Sequence, residues 1–315
     1  IMTVVILVVV GLSAGVLGVW NDSVGRLAVN QEARITLESL GNDLESVAPL
    51  NRGRVWLQVE HREINSDPGG SASVSGRFPQ IYLLTHSLDR PRFDGSGNEI
   101  PGSLVAVTYA PRYDNPFTRS RPPRPVVGIY RGVIDARNTF LGALAMQAYR
   151  DNNAHTLDAY FEGGVGGVEN TYFTYEGESS SLSADWYVDR DYFASSNVVE
   201  MRVIFYREFE VDDGSGTTTK TVEPLTDTGE VDGEPEDFIA ADRIYVDGTP
   251  VEGRIVYADV ILVVVPEEGM IAYQEGVEFT QNQAGFRQMI AEYGRPFTRR
   301  VYLMANAAQS LAGAF

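Results

Sequence analysis

IMTVVILVVVGLSAGVLGVW, residues 1–20, decides how the rest of the chain is read. No charged side chain occurs before Asp22. Three kinds of protein begin this way. A secretory signal has a basic n-region, a shorter apolar core and a small-residue cleavage site; Ala14 and Gly18 are small enough, but the apolar pattern runs past them into Trp20. A membrane anchor needs about 20 apolar residues, and Gly11-x-x-x-Gly15 inside one lets another helix approach closely. The third possibility is the first half of a longer helix.

The next stretch, NDSVGRLAVNQEARITLESLGNDLESVAPL (21–50), favours the third reading. Val24, Leu27, Ala28 and Gln31 form one stripe, and Leu37, Leu40, Leu44 and Val47 form another at spacings of three and four. Glu32, Arg34, Glu38, Asp43 and Glu45 are assigned to the remaining, solvent-facing surface. Gly25 and Gly41 each weaken a helix by roughly 1 kcal/mol against alanine. Proline disfavours continuation beyond Ala48-Pro49. One helix from residue 1 to about 47 is therefore expected, about 70 Å long at 1.5 Å per residue.

Composition limits what such a chain does. Among 315 residues there are 43 acidic and 25 basic side chains, a net charge of −18 that repels nucleic acid and anionic headgroups. Cysteine is absent, which excludes disulfides and thiolate metal sites. After Pro49, short apolar runs separated by clusters of Gly, Asn, Asp, Ser and Pro read as strands and loops. Strands are expected at 54–61, 78–87, 103–111, 126–135, 197–211, within 253–269 and within 294–305, with a short helix at 139–152 and an acidic hairpin or flap at 212–237. The fold class expected is α+β, a long N-terminal helix packed against a mainly antiparallel β-rich head. The division is 1–48 for the assembly or membrane helix and 49–315 for the head.

At QEARITLESLGNDLESV (31–47), behind the uncharged run, the chain resembles the type IV pilin-like proteins, including the pseudopilins of type II secretion and most of all the J-type minor pseudopilins. GRIVYADVILVVVPEEG (253–269) and GRPFTRRVYLMA (294–305) are similar to the close of J-type heads. The family's cleavage motif is absent, and IMTVVILVVV is similar to the residues just after its glutamate, so a few earlier residues of the mature chain are expected to be missing. The resemblance implies a structural subunit of a filament or pseudopilus. Such a subunit is anchored in the inner membrane before assembly and lies in the periplasm or outside the cell afterwards. Its partners are other pilin-like subunits or copies of itself, met through Val5, Val9, Leu12, Val16, Leu17 and Val19. A minor, tip-located role is favoured over a main repeating subunit of an extracellular fibre. The competing class is a signal-anchored envelope binding protein or enzyme, which calls for a flexible tether after Trp20 and a concave pocket.

The polar residues form no pattern that points to catalysis. His61, His86 and His155 are far apart, without a second ligand at zinc spacing. GSGN (95–98) lacks the pattern of a nucleophile elbow, and GGVGGVEN (163–170) lacks the lysine of a phosphate loop. No enzyme activity and no organic cofactor are expected. Calcium suits turns rich in hard oxygen ligands, which Asp94, Asn98 and Glu99, or Asp227, Glu230, Asp232 and Glu236, supply without EF-hand spacing; solvated surface acids are the plainer reading. Arg112, Arg119, Arg121 and Arg124 in a proline-rich loop suit contact with an acidic neighbouring subunit, or plain solvation. Trp186, Tyr187, Tyr192 and Phe193 are expected at the core edge.

Overall fold

The computed structural model describes residues 2–50, 53–65, 73–86, 104–114, 126–134, 136–141, 144, 156–162, 193–212, 214, 217–225, 236–266, 269–270 and 283–303. The first element, α1, runs from Met2 to Glu45. Among the described residues twelve strands and three shorter helices follow it: β1 Leu57–Asn65, β2 Ser73–His86, β3 Leu104–Asp114, β4 Val126–Ile134, α2 Ala136–Leu141, α3 Leu157–Glu162, β5 Phe193–Ser196, β6 Val198–Asp212, β7 Thr218–Pro224, β8 Phe238–Ala240, β9 Ile244–Val246, β10 Thr249–Val251, β11 Arg254–Val264, α4 Gln283–Tyr293 and β12 Arg295–Tyr302.

These strands form two antiparallel sheets, one ordered β10-β9-β8-β1-β2-β3-β4-β5 and the other β12-β11-β6-β7. The chain crosses between them at Asn197, whose φ of 58° lies in the left-handed region that asparagine tolerates better than most side chains. Val265 N–H donates to the Asn197 carbonyl at 3.0 Å and ties the crossing to the end of β11. Inner-facing residues of both sheets meet in one core, where Phe205 of β6 packs edge-on to Phe238 of β8 with ring centroids 5.0 Å apart.

β2 is buried at every position from Phe78 to Thr85 because both of its faces are covered. One faces the core. On the other, α3 lays Phe161 against Tyr82, their centroids 5.4 Å apart. α3 is held by Gln58, whose Oε1 accepts from the Leu157 and Asp158 amides while Nε2 donates to the Asp158 carboxylate. α2 is held by Thr139, whose hydroxyl accepts from Ala106 N–H and donates to the Ile134 carbonyl.

Among the described residues α1 joins the core through its second half. Val29, Ala33, Leu40 and Leu44 are buried, and the helix touches β12 and β11 of one sheet and β5 and β2 of the other. Beyond its end, Val47 bridges to Thr85, and Ala48 N–H donates to the Leu84 carbonyl at 2.8 Å.

The α+β class, a long N-terminal helix packed against a mainly antiparallel β-rich head, gives way to a mainly β protein of two antiparallel sheets. Apolar burial occurs chiefly between the two antiparallel sheets, and α1 adds one stripe along their margin. Among the described residues no helix is long and apolar enough to cross a membrane, and the expectation of a pilin-type hydrophobic N-terminal helix is corrected accordingly.

Candidate functional site

Toward its N-terminus the described apolar side chains of α1 are exposed. Ile6, Val9, Leu12, Val16, Leu17 and Trp20 are each more than half exposed, and Leu27 reaches 68%. The first buried side chain described along the helix is Val29. Apolar exposure on this scale marks a surface that meets a protein or a membrane. Added Cβ atoms at Gly11 and Gly15 meet nothing within 4 Å.

The direction in which this segment leaves the head is set by a buried ion pair. Asp43 sits in the last turn of α1, two residues before Glu45 and on the same side as Leu40 and Leu44. Its carboxylate accepts from Arg131 Nε at 2.7 Å and Nη2 at 3.0 Å, and from the Tyr109 hydroxyl at 2.6 Å. The side chains of Asp43 and Arg131 are only 5% and 7% exposed. Burial first, and the Asp43 charge second, push the Tyr109 hydroxyl well above the usual phenol range. Thr85 adds a bond from its hydroxyl to the Asp43 carbonyl at 3.0 Å. A carboxylate held by three donors and sealed from water is not presented to a substrate. It is an anchor.

Two further contacts hold the same stretch. Arg299 of β12 lies across Gly41, where a Cβ would come within 2.5 Å of its guanidinium, and donates to the Leu37 carbonyl and the Glu45 carboxylate. Ser196 donates to Glu32 at 2.6 Å, and burial raises the Glu32 carboxyl above its ordinary value despite that bond. Between α1 and β12 runs an open groove of about 720 Å³, with Asn30, Arg34 and Leu37 on one wall and Phe297 and Arg299 on the other.

The outer face of the smaller sheet carries Tyr206, Tyr257 and Tyr302 in a cross-strand row. Arg300 lies 4.4 Å over the Tyr257 ring and forks onto Asp259 at 2.7 and 2.8 Å. The Arg300 bonds hold the Asp259 carboxyl below its usual range. This cluster satisfies itself.

Of the assembly residues expected from sequence, Val9, Leu12, Val16 and Leu17 are exposed on α1, while the side chains of Val5 and Val19 lie outside the described residues. Arg112 is on β3 with its side chain likewise outside them, as are Arg119, Arg121 and Arg124 altogether. The calcium candidates Asp94, Asn98, Glu99, Asp227, Glu230 and Asp232 also lie outside; Glu236 is exposed just before β8. His61 pairs with Asp237 at 3.3 Å, His86 is exposed and His155 is outside. Among the described residues no group of three or more His, Asp or Glu side chains is placed to hold a metal ion. The Asp43–Arg131–Tyr109 anchor was not foreseen, although Asp43 stands three residues after Leu40 and four before Val47, a spacing that places it on the buried stripe.

No family model, no curated protein and no solved structure matches the chain. With no relative found and a mainly β fold, the resemblance to pilin-like proteins and J-type pseudopilins is set aside.

Proposed function

We propose that the protein is a non-catalytic structural subunit that associates with copies of itself through the exposed apolar half of α1, with the two-sheet head turned outward. The observation that supports this most is the run of large apolar side chains left uncovered from Ile6 to Leu27 on a helix whose base is locked to the head. Covering one such side chain stabilises by about 1.5–3 kcal/mol, so a handful suffices to offset the entropy of association, about 4–15 kcal/mol. The stretch from Ile1 to Asn21 has no charge to desolvate. The head's surplus of acids keeps the assembled form soluble.

Sedimentation velocity over a range of concentrations, with electron micrographs of the same samples, tests the reading. The native chain is expected to associate, and Val9→Asp or Leu12→Asp to remain monomeric, because an unpaired carboxylate costs several kcal/mol in an apolar interface. A native chain that stays monomeric throughout, or aspartate variants that associate equally well, overturns it.

A further inference from the structure

Along α1 the steps of three and four alternate without a break from Ile6 through Val9, Ser13, Val16, Trp20 and Ser23 to Leu27. The same line continues through Asn30 and Arg34 to Leu37, at the groove beside β12. None of these residues is buried. An average step of 3.5 residues is the seam of a left-handed coiled coil. The seam is therefore longer than the apolar segment, and its far end opens into a groove.

We propose that the occupant of this seam is the α1 helix of a second copy, running antiparallel, so that the N-terminal end of each helix lies in the α1–β12 groove of the other. This rests on the self-association reading and names the geometry of the contact. Reversed and laid on itself, the seam matches in kind at nearly every level. Ile6 meets Leu37, Val16 meets Leu27 and the large Trp20 meets the small Ser23. Ser13 meets Asn30, so the two polar side chains share a level instead of each facing an apolar one. Val9 meets the aliphatic stem of Arg34, whose head group remains on Glu38 at 2.8 Å. The arrangement is isologous, with the same patch used twice.

A parallel, in-register pair is poorer in each respect. It opposes Arg34 to Arg34 and Trp20 to Trp20. It also sets two heads side by side in a chain of net charge −18. The antiparallel pair places the heads at opposite ends of the shared helices, beyond a Debye length of about 10 Å at 0.1 M salt. The overlap from Ile6 to Leu37 is about 47 Å long at 1.5 Å per residue. With a strip about 10 Å wide on each partner, roughly 900–1,000 Å² is buried in total, near the ~1,000 Å² that a specific interface needs. Leu12 and Leu17 flank the seam, and Phe297 lines the groove, which adds to that area.

The absence of cysteine from the chain makes the register directly readable. Ser13→Cys and Asn30→Cys are surface substitutions on the full chain, each made alone and then mixed under mild oxidation. The antiparallel register brings position 13 of one copy to position 30 of the other. A disulfide-linked dimer is expected from the mixture and not from either variant alone, since like positions then sit about 25 Å apart along the axis. Crosslinking of each variant with itself and none between the two overturns the antiparallel register while leaving self-association standing. No crosslink in any sample, together with a monomer in sedimentation, overturns both.

Discussion

Replacing Asp43 with alanine tests whether the base of α1 is locked to the head by charge. The side chain accepts three hydrogen bonds, two from Arg131 and one from Tyr109, all at 3.0 Å or less. Its loss leaves a guanidinium that is 93% buried, taking the complement of its 7% exposure, without an anion. Removing one partner of a buried pair costs about 3–5 kcal/mol. That is a large share of the 5–15 kcal/mol by which domains are ordinarily stable. With a urea slope of about 2–3 kcal/mol/M, the unfolding midpoint of Asp43→Ala should fall by roughly 1–2.5 M.

Two companions separate charge from packing. Tyr109→Phe removes one bond to a charged acceptor that keeps Arg131, so a loss of about 1.5 kcal/mol is expected, the low end for such bonds. The pair Asp43→Leu with Arg131→Met removes both charges at similar volume, and should recover most of what Asp43→Ala loses. Urea unfolding followed by circular dichroism reads all three. A midpoint shift below about 0.3 M for Asp43→Ala, or a double variant as unstable as the sum of its singles, refutes the charge lock. Alkaline titration gives an independent check. The folded Tyr109 holds its proton above the pH at which the unfolded phenol releases it, so stability is whole below pH 10 and declines as pH rises beyond it. Tyr109→Phe should flatten that decline.

Glu32 works in the opposite sense to a paired carboxylate: its folded carboxyl is raised above 4.5, so stability falls as pH climbs from 4.5 through the raised value. Glu32→Gln should flatten that fall and leave the protein more stable at pH 7, read from urea midpoints across pH 4–8. Leu40→Ala, at a site with no exposure, should cost about 2–5 kcal/mol of unfolding free energy. Leu12→Ala should change monomer stability by less than about 0.5 kcal/mol, yet weaken association in sedimentation. Gly11→Ala with Gly15→Ala should raise helix content, by about 1 kcal/mol of helix propensity per site, without loss of assembly; loss of assembly would show that another helix packs close on that glycine face.

Local pattern was legible in the sequence wherever it reflects one chain segment against one surface. The strand read at 126–135 lies at Val126–Ile134, and the run within 253–269 contains β11, Arg254–Val264. Leu40, Leu44 and Val47 are buried as their spacing required. The stripe drawn through Leu27 had the wrong phase, because the head is first met at Val29 and Ala33, and Leu27 faces away from it. Asp43 was assigned to the solvent face on charge alone. Its partners Arg131 and Tyr109 arrive from β4 and β3, far along the chain, and nothing near Asp43 announces them. The two-sheet layering was hidden for the same reason: β8 pairs with β1, and β5 passes into β6 across sheets at Asn197. The helix read at 139–152 is described only as Ala136–Leu141, held by a Thr139 bond to β3 that periodicity does not contain.

Hydrogen exchange of the native chain at two concentrations, tenfold or more apart, tests the central claim most directly, because it reports association and its location together. If α1 pairs with another copy, amides from about Val9 to Leu27 should exchange more slowly at the higher concentration, while those of β2 and β3, already in the core, should not change. Exchange along that stretch that is fast and independent of concentration would contradict the claim that this half of α1 exists to be covered by a second copy.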